Sequence, residues 1–168
     1  HFLYVPRNVV VDEPLHALSV LSNGGVDLGH TLIILEEGAE ATMLSETESL
    51  GEEDAGLHCG GVELLLAPGA HLRYVNLQNW GKGAWHFAHQ KALVDGGGRL
   101  QWTIGALGSR LAKVNQQVAL VGPDAETQVN GVMFTEGKQH LSYHTVQHHE
   151  SSHCRSDLLY RGALQDHS

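Results

Sequence analysis

The feature that most constrains this chain is a turn that returns at nearly constant spacing. Glu37-Gly38-Ala39, Pro68-Gly69-Ala70, Gly96-Gly97-Gly98 and Pro123-Asp124-Ala125 each follow an apolar, β-branched run and precede an alternating one. Their centres are separated by 31, 28 and 27 residues. Gly supports the positive backbone dihedral that a tight turn demands, and Asp tolerates it. Second turns fall between them, near Asn79–Gly83, Gly105–Gly108 and Glu136-Gly137, so each period holds two to three strands. A repeat of this length without helical periodicity predicts a β-solenoid, in which each coil covers the apolar face of its neighbour. The four turns should then stack along one edge.

The remaining pattern agrees. Phe2–Val5 and Val9–Val11 read as short strands broken at Pro6 and Asn8, and Leu15–Leu21, Thr31–Leu35 and Glu40–Leu44 as further ones. Val62–Leu66, His71–Val75, Lys91–Val94, Arg99–Thr103, Gln117–Val121 and Glu126–Val129 continue the series. Ser45–Gly56, acidic and aperiodic, reads as an exposed loop. Gly105–Asn115 is the nearest approach to an amphipathic helix, and its glycines at 105 and 108 weaken it. The fold class expected is all-β, a β-solenoid over residues 1–168, as a fragment of a longer protein whose flanking N- and C-terminal regions are absent. A cupin-type jelly roll competes, but its metal ligands come from separated strands.

Composition narrows the function. The net charge of −9 and the lack of any Lys/Arg block argue against nucleic acid and anionic membrane as partners. No apolar run approaches the roughly 18 residues of a membrane span. Cys59 and Cys154, far apart and without a CxxC, fit a reducing cytoplasm better than a disulfide-rich secreted domain.

Chemistry concentrates in His148-His149-Glu150-Ser151-Ser152-His153-Cys154, where three imidazoles, a carboxylate and a thiol share seven positions. Thiolate and imidazole suit Fe(II), Zn or sulfide-rich clusters, and His149, His153 and Cys154 are the candidate metal contacts. The competing reading is a polar outer face. Regular alternation would send His149 and His153 to one side and His148 and Cys154 to the other, so both sets could not meet one metal. Elsewhere the plain readings are preferred: His140, His144 and His148 as a solvated row, Cys59 as a small core residue, and Trp80, Trp85 and Trp102 as packing. His86 and His89, three apart, fall on opposite strand faces. There is no phosphate loop with Lys-Ser/Thr, nucleophile elbow or HExxH.

Several segments together resemble the SufB/SufD family of iron–sulfur cluster assembly, closest to SufD. Phe2–Leu15 is similar to the family's "YVP+…PL" opening, Thr31–Thr42 to "RTLIIVEEGAEA", and Gln78-Asn79-Trp80 to "QNW". Asn130-Gly131-Val132 with Gln139-His140-Leu141 resembles the SufD pattern "NG…QHLD.HT". The run from His149 to Ser168 resembles "H…H..S..LYKG.L.D.S". The resemblance implies a right-handed parallel β-helix (β-solenoid) core domain over residues 1–168 and a scaffold rather than an enzyme in the SufBCD complex. It further implies pairing with SufB through that core, docking of the ATPase SufC on a region outside this chain, and homodimers when isolated. The implied cofactor is a transient iron–sulfur cluster shared with SufB. The SufB pattern has no His-Cys pair at this place, so a complete cluster site would need SufB residues. The rival reading is a metal-dependent enzyme of cupin or β-helix type using the 148–154 cluster.

Overall fold

The computed structural model describes all 168 residues, and its strands form two parallel sheets facing each other across one core. The first sheet runs β1 (Phe2–Val5), β4 (His30–Leu35), β6 (Ala55–Leu66), β8 (Gly83–Val94), β10 (Leu111–Leu120), β12 (His140–His149). The short β3 (Gly25–Asp27) also pairs with β6. The second runs β2 (Leu15–Leu21), β5 (Glu40–Ser49), β7 (His71–Asn79), β9 (Arg99–Ala106), β11 (Glu126–Thr135), β13 (Arg155–Leu164). Every pairing is parallel, which a jelly roll cannot produce. The chain is a right-handed β-solenoid of about six coils without helices, and so has no helix long and apolar enough to cross a membrane.

The turns predicted to stack do so. Asn8, Gly38, Gly69, Gly97, Asp124 and His153 all have φ between 58° and 68°. Each of the first five donates its amide to the carbonyl just before the equivalent residue of the next coil: Asn8 to Glu37, Gly38 to Pro68, Gly69 to Gly96, Gly97 to Pro123 and Asp124 to Ser152, at 2.8–3.1 Å. The left-handed conformation turns each amide along the solenoid axis, so the repeat is a hydrogen-bonded ladder at its edge as well as in its sheets.

Inside this edge the core is apolar and regular. One inward column is Val5, Leu35, Leu66, Val94 and Leu120; another is Ala41, Leu72 and Leu100. Tyr74 and Trp102 pack edge to face at 5.7 Å between them. At the opposite edge the chain is held by polar side chains. Gln78 accepts from Gly108 N at 3.0 Å and donates to Ser109 Oγ, whose backbone carbonyl accepts from Gln139 Nε2 at 2.9 Å. Trp80 is buried beside this knot, as the packing reading expects, and so is Trp102 in the core.

Four sequence expectations need correction. Ser45–Gly56 is not a loop: β5 continues to Ser49 and β6 begins at Ala55, because a solenoid coil is paired on both sides and overrides weak strand propensity. For the same reason Lys91–Val94 is only the end of β8. Cys59 lies on the outer face of β6 and is exposed, and Trp85 is 42% exposed.

Candidate functional site at the last coil

The 148–154 cluster wraps the turn edge between β12 and β13. Backbone register decides where its side chains point. His149 pairs with Leu120, so it takes the next place in the inward column of Val5, Leu35, Leu66, Val94 and Leu120. Ser156 pairs with Thr127 and so extends the inward column of Leu72 and Leu100. Imidazole and hydroxyl meet across the coil, His149 Nε2 lying 2.8 Å from Ser156 Oγ.

Strand alternation stops at His149, because Glu150–His153 form the turn. Cys154 therefore does not oppose His149. It follows the left-handed residue of its coil as Ala39, Ala70, Gly98 and Ala125 follow theirs, and all four of those are buried. The thiol inherits the inward direction. It is half-buried, packs against the main core, and donates to Gly122 O at 3.4 Å, with Ser152 O at 3.7 Å and Leu120 O at 3.9 Å. His149 and Cys154 thus face the solenoid axis together, on either side of one turn.

His153 holds the left-handed position itself, with φ 60°, at the tip of that turn. His140, His144 and His148 point outward and are exposed, a solvated row. No three His, Cys, Asp or Glu side chains converge closely enough to hold a metal ion. Within one chain the last coil offers an imidazole and a thiol on the axis side, fewer ligands than the four of a tetrahedral or cluster site.

A second polar place escaped the sequence reading. Between β5–β7 and β6–β8 lies a cavity of about 200 Å³ with a mostly polar lining that includes Ser45, Asn76, His58, His86 and Gln90. Gly60 opens it, since a Cβ there would stand 2.5 Å from His58 Nε2. His58 Nδ1 is 2.8 Å from Asp27 Oδ2, and its ring stacks on His86 at 4.9 Å. His86 Nδ1 and Gln90 Oε1 are buried without a protein partner. Burial, reinforced by the nearby charge of His58, drives the His86 pKa down to about 3, so this imidazole stays neutral. The available signal was the period: Asp27 and His58 are 31 residues apart, one coil.

Tyr143 and Tyr160 approach at 6.4 Å between β12 and β13, and Tyr160 donates to Gln116 Oε1 at 2.8 Å. Burial pushes the Tyr160 pKa up to about 12 and raises that of Tyr143 further, so both remain neutral phenols.

Residues 19–168 match the family described as SUF system FeS cluster assembly, SufBD core domain. The chain belongs to the SufB/SufD family. It is 26% identical over 166 residues to an iron–sulfur cluster assembly SufBD family protein of Staphylococcus saprophyticus, covering 98% of this chain and 36% of that protein. Relatives carrying the same description are 30% identical in Staphylococcus epidermidis over 139 residues, 82% of this chain and 30% of theirs, and in Staphylococcus haemolyticus over 134 residues, 79% and 29%. The chain thus spans about a third of the length of these SufBD relatives. The solenoid and the cluster-assembly family expected from the motifs both stand.

Proposed function

We propose that this chain is the β-helix core of a SufD-like scaffold that works with SufB and the ATPase SufC, without catalytic turnover of its own. It would carry no resident cofactor and would contact an iron–sulfur cluster transiently. The observation that carries the reading is the shared direction of His149 and Cys154 on the axis side of the last coil. One soft and one borderline ligand suit iron and sulfide, and the missing ligands would come from SufB across a core-to-core interface. His153, at the turn tip, would reach the same species from the solvent side. The SufD assignment rests on Asn130-Gly131-Val132 with Gln139-His140-Leu141 and on the His-Cys pair. A cytoplasmic setting fits two cysteines that remain unpaired, Cys59 on β6 and Cys154 before β13.

The test is co-purification of the full-length protein with SufB and SufC, followed by iron and acid-labile sulfide analysis. A ternary complex that gains cluster on reconstitution supports the reading. A mononuclear metal held stoichiometrically by the protein alone would favour a metal-dependent enzyme instead.

A further inference from the structure

On the outer face of the second sheet, carboxylates stand beside imidazole and guanidinium groups, and exposed Leu18, Val20, Val132 and Phe134 lie apart from them on β2 and β11. His71 Nδ1 lies 3.5 Å from Glu40 and Arg99 Nε lies 3.5 Å from Glu126, in one outward column. On the first sheet the register aligns Val26, Leu57, Trp85 and Leu111 across four strands, with Phe87 in the next column. Val26 is 65% and Leu57 36% exposed, alongside the open Trp85 ring. Solvated sheet faces ordinarily alternate to polar residues, so a contiguous apolar stripe marks an interaction surface.

Two cations border this stripe. Arg110 lies over the Trp85 ring at 5.8 Å and Lys113 stands beside Phe87. Both are exposed and neither joins an ion pair. Farther along β8, outward Lys91 stands beside Glu63 of β6. In a chain of net charge −9, two unpaired cations beside an apolar stripe are a local reversal of sign.

We infer that this stripe docks an acidic amphipathic helix of a protein partner. The helix would lie along the solenoid axis, across the strands. Its apolar residues at i, i+3/i+4 and i+7 would seat on Leu57, Trp85 and Leu111, whose strands are about 4.8 Å apart, and its carboxylates would meet Arg110 and Lys113. The strongly negative remainder of the chain disfavours an anionic membrane as occupant.

The probes are a synthetic helix with a leucine face and glutamate flanks, and its counterpart with lysine flanks, titrated calorimetrically into the full-length protein. The glutamate peptide should bind, and binding should weaken as salt rises; the lysine peptide should not bind. Replacing both cations by carboxylates removes two modest surface pairs, so Arg110→Glu with Lys113→Glu should lower affinity about tenfold. Trp85→Ser should lower it comparably with an unchanged melting curve, and acrylamide should quench Trp85 fluorescence, read against Trp85→Phe. Equal binding of both peptides, or glutamate-peptide binding indifferent to both variants, would overturn the inference. So would a Trp85 shielded from acrylamide, showing that the chain covers its own stripe, or binding to phosphatidylserine vesicles in place of the peptide.

Discussion

At the scale of single residues, position in the coil decides chemistry. His86 is inward and shut off from solvent, so the fold admits only its neutral form. The unfolded chain protonates this histidine below about 6.5, whereas the folded chain resists until about 3. Its contribution is therefore complete above pH 6.5 and is lost as pH falls through that window. At about 1.4 kcal/mol per unit, lowering pH from 7 to 5 should cost about 2 kcal/mol at this site. Urea midpoints at the two pH values should show the loss, and His86→Gln should abolish that share of it. An unchanged pH slope in the variant would mean that His86 is not the group responsible. Cys154 presents the opposite case, a half-buried residue in a column otherwise filled by Ala and Gly. Cys154→Ala should therefore shift stability by less than about 1 kcal/mol in thermal melts. A loss of several kcal/mol would make the thiol a packing element. The inward direction of Cys154 was not legible in the sequence, because alternation was extended through a turn that resets it.

The turn column and the sheet ladders govern the scale of elements. Gly38→Ala forces an L-residue into the left-handed region at roughly 1–2 kcal/mol and sets its Cβ 2.6 Å from Asn8 Oδ1, so the measured loss should reach or exceed the upper figure. His153 already bears such a strain at the same rung, and His153→Gly should be neutral to stabilising by up to about 1 kcal/mol. Denaturant titration of both variants checks the pair, and a stabilised Gly38→Ala would refute the account of the column. The rungs at Gly38, Gly69, Gly97 and Asp124 were readable as sequence because Gly and Asp suit positive φ. The rung at His153 was not, since its segment reads first as a cluster of ligands rather than as a turn, and its place became plain only from the intervals. Strand lengths were underestimated wherever Ser, Glu or Gly occupied paired positions, as in Ser45–Ser49 and Ala55–Gly61. There the neighbouring coils supply what local propensity lacks.

For the whole molecule, the period gave the solenoid and the scattered motifs gave the family, while the arrangement of the site had to come from the register. His149 and Cys154 both face the axis because a four-residue turn separates two inward columns, and His153 is displaced because it forms that turn. The most direct measurement is iron and acid-labile sulfide in the reconstituted complex with SufB and SufC. The comparison is between the unaltered protein and Cys154→Ser, His149→Ala and His153→Ala, each first shown to assemble normally. The account predicts that the two axis-facing substitutions lose most of the cluster and that His153→Ala loses less. Full cluster content in both Cys154→Ser and His149→Ala complexes would contradict it.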